Sequence, residues 1–209
     1  MSPSPEEIPD SVPARAAGSQ PEFSPHERLL LLKLAHDSIG AALEHRELAL
    51  RPPSAHLSES RGAFTTLYLR GELRGCVGYV APVGPLYRTV AETARAAAFE
   101  DPRFLPVTRN EAPQLEVSLS ILSRLEVIQP SDVEIGRHGL LITLGAHRGL
   151  LLPQVPAEHN WDRVTFLEQT CHKAGLPEGA WQHGATIEAF TTELFSDRDV
   201  NQETPFVAP

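Results

Sequence analysis

One run of the chain brings several reactive residue types close together: Leu73-Arg74-Gly75-Cys76-Val77-Gly78-Tyr79-Val80. A strand sends successive side chains to opposite faces. Alternation therefore puts Leu73, Gly75, Val77 and Tyr79 on one face and Arg74, Cys76 and Gly78 on the other. The first face is apolar enough for a core. The second holds a thiol, a guanidinium and a bare glycine. A cation beside a thiol favours the thiolate, the form that reacts. Cys76 is thus a candidate nucleophile or covalent carrier, with Arg74 as its activating group. Its alternative role is a small buried hydrophobe, since free cysteine is among the most buried residue types. Two glycines in a strand mark a bulge or the close approach of another backbone or a ligand. Gly75 and Gly78 are candidate substrate-contact positions on that ground. Arg74 and Arg103 have the fork geometry to hold a substrate carboxylate or phosphate, or alternatively to pair with Asp101 or Glu111.

The surrounding elements must position this strand. Ser24-Pro25-His26-Glu27 spells a helix start, and the apolar spacing of Leu29, Leu32, Ala35, Ile39, Ala42 and Leu43 carries the helix to about Glu47. Its His36 and His45 read as solvated. Ala63–Arg70 is a strand, and Arg70-Gly71-Glu72 is the tight turn into the organising run. Gly84-Pro85 opens an alanine-rich helix to about Phe99, and Asp101-Pro102-Arg103-Phe104 ends it as a turn. Leu115–Ile121 alternates, with Glu116, Ser118 and Ser120 on a polar face that implies an antiparallel sheet with a wet side or a wall facing a cleft. Gly139–Leu144 and Gly149–Leu152 form a hairpin. A helix follows from about His159 to Ala174, on the spacing of Trp161, Val164, Leu167 (or Thr165), Cys171 and Ala174, and Gly175 stops it. Ala185–Phe195 is the last strand. Cys171 falls on the helix's apolar stripe and reads as core.

Composition narrows the function. The 209 residues suit one domain or two small lobes, and 41% hydrophobic content suits a globular fold. A net charge of −9 opposes non-specific binding to nucleic acid or anionic lipid. No apolar run reaches the roughly 20 residues of a membrane span. Residues 1–21 are rich in Pro, Ser and Glu and read as a disordered tail, and 197–209 as a polar C-terminal tail, leaving 22–196 as the folded part. Two distant cysteines and no signal peptide point to the cytoplasm. The histidines and cysteines lack zinc-site spacing, and no Gly-rich phosphate loop or Gly-x-Ser-x-Gly elbow is present, so no metal or cofactor is implied.

Leu73-Arg74-Gly75-Cys76-Val77-Gly78 resembles the Leu-Arg-Gly-Cys-Ile-Gly signature of the AMMECR domain family, with Val77 for Ile as the one departure. The resemblance continues through Asp101-Pro102-Arg103-Phe104, Gly136-Arg137-His138-Gly139-Leu140, Gly149-Leu150-Leu151-Leu152-Pro153-Gln154-Val155 and Cys171-His172-Lys173-Ala174-Gly175-Leu176. It implies an α+β fold of two lobes: a larger one with an antiparallel sheet plus helices, a smaller α/β lobe, and a cleft between them that the signature strand faces. It also implies radical-SAM and dioxygenase-like partners. His138, inside one of these family-like motifs, becomes the candidate base for Cys76, with an imidazole bonding its own turn's backbone as the alternative. Two functions fit: a thiol-dependent enzyme or carrier acting on a peptide or modified macromolecule, or a non-catalytic adaptor binding a partner protein in the groove.

Overall fold

A helix begins where its first N–H groups find acceptors. Ser24 provides this at the start of α1 (Pro25–Leu43): its hydroxyl accepts the Glu27 N–H, and the Glu27 carboxylate accepts the Ser24 N–H. A computed structural model describes residues 21–203, so the expected tail, Pro21 apart, lies outside the described residues. α1 stops at Leu43, short of Glu47, and His45 beyond it has φ 55°. Its buried stripe is Leu31, Leu32, Ala35 and Ile39. Leu29, expected on that stripe, is exposed.

The described chain divides into two units, residues 21–121 with 193–203, and residues 122–192. In the first, β1 (Ala63–Leu69) and β2 (Glu72–Tyr79) form a hairpin around Arg70 and Gly71, whose φ angles of 55° and 86° suit a two-residue loop. With β3 (Leu115–Leu122) and β8 (Thr192–Ser196) they make a sheet of order β2-β1-β3-β8. One face contributes Ala63, Leu67, Val117, Leu119 and Ile121 to a core shared with α1 and α2 (Leu86–Phe99). The small side chains of α2, Ala94 and Ala97 among them, let it lie close on the sheet. The other face carries Phe64, Thr66 and Tyr68 opposite Ser120, Ser118 and Glu116. Ser118 and Ser120 are each 6% exposed, so at these positions the polar face is not a wet one.

The second unit holds β4 (Glu126–Val127), β5 (Gly139–Leu144), β6 (His147–Leu151) and β7 (Thr186–Phe190) in the order β4-β7-β5-β6, with α3 (Gln154–Glu158) and α4 (Arg163–Lys173). Leu140, Ile142, Phe166, Leu167, Cys171 and Ile187 form its core. The fold is α+β with two antiparallel sheets. Cys171 is fully buried, and burial pushes its thiol above the ordinary range.

Five further expectations are corrected. The β5–β6 loop is only Gly145-Ala146, with β6 starting at His147. The helix expected from His159 to Ala174 starts later, because His159 closes the short α3 before it. α4 begins after Asp162, whose carboxylate accepts the Thr165 N–H, and it buries Phe166 while Val164 is exposed. The expected last strand is two strands in different sheets, changing at Thr191. Of the tail expected over 197–209, residues 204–209 lie outside the described residues, and the first seven are instead α5 (Asp197–Glu203). Asp199 caps it by accepting the Ser196 N–H and hydroxyl, a Ser-x-x-Asp signal that the polar composition hid. Asp197 accepts the Val117 N–H at 2.8 Å and bonds His36 at 2.9 Å, so His36 is paired rather than merely solvated.

Val200 of α5 is buried in the first unit's core. Val200→Ala should lower unfolding stability by about 0.5–3 kcal/mol, and truncation after Phe195 should lower it further. Urea denaturation checks this, and an unchanged midpoint in the truncated chain would return α5 to the status of a tail.

Candidate functional site

The hairpin register decides which way Cys76 faces. From the turn, Leu69 pairs with Glu72 and Tyr68 with Leu73, but then Leu67 pairs with Gly75 and Thr66 with Cys76. Arg74 is the residue left over, a β-bulge. In an unbroken register Cys76 would oppose Thr65, whose hydroxyl bonds Thr93 of α2 at 2.8 Å on the helix-packed face. The bulge moves Cys76 opposite Thr66, on the far face. Two face assignments change as a result. Leu73 shares the face of Tyr68 and Cys76 rather than that of Gly75, and Arg74 belongs to neither alternation.

The glycines have structural occupants. A Cβ at Gly75 would overlap the carbonyl oxygen of Ala97, so the missing side chain is what lets α2 approach the strand. A Cβ at Gly78 would overlap the ring of Phe64, which covers that glycine from β1. What approaches the backbone at both positions is the protein itself.

Cys76 lies on the outermost strand of its sheet, and its N–H points away from β1, where it donates to Asp101 Oδ2 at 2.8 Å. Asp101 is buried. Its carboxylate also accepts from the Arg103 N–H (3.1 Å), Arg103 Nε (3.1 Å) and Arg103 Nη2 (2.9 Å). Burial pushes Asp101 up, but these bonds outweigh it and hold the carboxyl below the usual range. The Arg103 guanidinium lies 5.5 Å over the Phe104 ring. Arg74 is held apart. Its Nε and Nη2 reach Glu111 at 3.1 and 3.4 Å, and Nη2 reaches the Pro106 carbonyl at 3.3 Å. Arg74 and the Thr108 N–H and hydroxyl bring Glu111 down to about 2. Of the roles open to the two arginines, each fills the ion-pair one.

The Cys76 thiol is half-buried and sits 3.1 Å from Thr66 Oγ1. Burial pushes it up, the Thr66 hydroxyl and Arg103 draw it part-way back, and Asp101 adds to the rise, leaving it above an ordinary thiol. Arg74, expected to lower it, has no part in that balance because the bulge and Glu111 hold it away. Tyr68, on the same face, is raised by its own burial and by Cys76. The structure thus brings together Cys76, Thr66, Asp101, Arg103 and Tyr68. His138 belongs to the second unit, where its Nδ1 accepts the Glu134 N–H at 3.2 Å, the turn-backbone role, and burial lowers its pKa. Thr66, Asp101 and Tyr68 were missed as neighbours of Cys76. The Thr66 contact needs the bulge to be known, and Asp101 is far along the chain with no linear signal. Among the described residues no group of three metal-ligating side chains gathers, and no helix is long and apolar enough to cross a membrane.

Residues 32–195 match the model of the AMMECR1 family. A Methanopyrus kandleri protein is 40% identical over 181 residues, covering 81% of this chain and 87% of its own length. An Aquifex aeolicus protein is 38% identical over 181 residues, covering 81% and 92%. The crystal structure of an uncharacterized protein from Pyrococcus horikoshii superposes with a TM-score of 0.61 at 36% identity, covering 80% of this chain and 89% of that one.

Glu111 and Asp101 have depressed folded-state pKa values, so their contribution to stability is complete above the ordinary carboxylate range. It fades as pH falls through that range toward the folded values. Wild-type protein should therefore lose more stability between roughly pH 5 and pH 2.5 than Glu111→Gln does. Equal losses in urea denaturation at the two pH values would mean that the Arg74–Glu111 pair does not carry the effect.

Proposed function

The chain belongs to the AMMECR1 family, and we propose on that premise that it is a non-catalytic adaptor whose recognition element is the loop from Asp101 to Val107. The observation that carries this reading is that the Asp101 carboxylate beside Cys76 holds the Cys76 and Arg103 backbone N–H groups in place while the thiol stays above its ordinary pKa. A resting nucleophile needs the opposite shift. The loop is anchored at one end by Asp101 on Cys76 and at the other by the Val107 N–H on the Ala98 carbonyl at 2.8 Å, with Pro106 accepting from Arg74 between them. On this fixed loop Leu105 is 83% exposed. An apolar side chain carried on a pre-ordered loop surrenders little freedom on binding, which is what an anchor residue requires. The radical-SAM and dioxygenase-like proteins implied by the signature resemblance are the partners to assay. Cys76 and Cys171, both free, support the reducing cytoplasm as the setting.

The competing reading, a thiol-dependent enzyme or carrier acting on a peptide or modified macromolecule, needs Cys76 as a thiolate at neutral pH. The pH–rate profile of Cys76 alkylation by iodoacetamide separates the two. We expect an inflection above that of free cysteine measured alongside, and one below it would restore the enzyme. For the adaptor itself, Leu105→Asp should abolish binding to a radical-SAM or dioxygenase-like partner with the melting temperature unchanged, while Cys76→Ser keeps binding. Wild-type affinity in Leu105→Asp would remove the loop from the interface.

A further inference from the structure

The outer strand of the second unit is a basic edge on an acidic protein. The chain carries a net charge of −9, yet β6 places His147 and Arg148 side by side, and the last turn of α4 adds His172 and Lys173. Close packing joins the two elements. A Cβ at Gly149 would overlap the Ala174 backbone, and the His147 ring comes within 3.8 Å of where a Cβ on Gly175 would lie. All four basic side chains are exposed, and none has an ion pair or hydrogen bond among the described residues. Strand alternation puts His147 on the face of Gly149, toward α4, and Arg148 on the opposite face. Positive charge therefore flanks the strand on both sides.

The edge itself is open. β6 ends the order β4-β7-β5-β6 and pairs only with β5. Among the described residues its outward row of N–H and C=O groups makes no hydrogen bond. Such a row is a template for one more strand.

A cation in the last turn of a helix complements its dipole, which accounts for Lys173 but not for Arg148 on the strand. Charged edges also keep like edges apart. A second copy of β6 would bring the same cations, so the edge rejects its own kind and favours carboxylates. We propose that β6 receives an extended acidic segment of a partner protein by strand addition. Its main-chain groups pair with the outward row, and its alternating carboxylates meet Arg148 on one face and His147 with Lys173 on the other.

The test uses the full chain and a short capped peptide alternating Glu and Val, titrated by calorimetry. Two controls accompany it: the same peptide with Lys for Glu, and one with alternate amides N-methylated. The Glu peptide should bind and weaken as salt is added, and the two controls should fail. Arg148→Glu combined with Lys173→Glu should weaken binding about tenfold or more with the melting temperature unchanged. Should that double variant unfold, Arg148→Gln alone should still weaken the Glu peptide. The proposal is overturned if the Glu peptide does not bind, if the Lys peptide binds equally, or if N-methylation or the charge changes leave affinity intact. A dimer in sedimentation that Arg148→Glu dissociates would assign the edge to a second copy and overturn it as well.

Discussion

The Asp101 carboxylate is the constraint on which the first unit's signature depends. An edge strand leaves N–H groups that must find acceptors if they are covered. At Cys76 that acceptor is Asp101, whose own side chain is 3% exposed. A buried carboxylate is costly unless charge and hydrogen bonds surround it. Arg103 supplies the charge from two residues away, with two guanidinium nitrogens and its own N–H. The four groups hold one another: removing Arg103 leaves a buried anion, and removing Asp101 leaves a buried N–H and an arginine that has lost its carboxylate. The Leu-Arg-Gly-Cys-Val-Gly and Asp-Pro-Arg-Phe motifs are one structure in two pieces.

The bulge at Arg74 is the second constraint, and it acts through parity. A one-residue insertion in one strand reverses the faces of everything beyond it relative to the turn. Here it turns Cys76 and Gly78 away from α2 and brings Gly75 and Val77 onto it. Gly75 then sits under the Ala97 carbonyl, where only glycine fits. Glu111 receives the displaced arginine, and the same carboxylate accepts the Thr108 N–H and hydroxyl. The arginine that the bulge leaves out of the ladder thereby ties the loop's far end to the strand.

Local signals in the sequence were legible wherever they were self-sufficient. Ser24 with Glu27, the Arg70-Gly71 turn and the alternation of Leu115–Ile121 each specify their element without help from distant residues. What depended on tertiary context was not legible. Leu29 and Val164 have helical spacing, but spacing alone does not say which side of the stripe the core occupies. The split at Thr191 is invisible because both strands alternate, and only the two sheets tell them apart. In the site, the thiol and both arginines were visible as residue types, together with the two carboxylates that became their partners. Their assignment was not: alternation pointed Arg74 at Cys76, and a single bulge gave that place to Arg103.

Burial does most to raise the Cys76 thiol, and the sharing of one nearby cation between two acids widens its contrast with Asp101. Arg103 lowers both groups, but it contacts Asp101 through a bidentate pair and acts on Cys76 only through space. Asp101 is the stronger acid to begin with, and the Cys76 N–H adds a further bond to its anion. Once Asp101 is ionised, a thiolate at Cys76 would be a second anion beside a cation already engaged, and half-burial denies it the water that would screen the repulsion. Titratable neighbours driven apart in this way take opposite states. Asp101 stays charged and holds the strand edge, and Cys76 stays neutral against Thr66. Burial accounts for most of the rise in the thiol, and the ionised Asp101 that anchors the loop adds a smaller share.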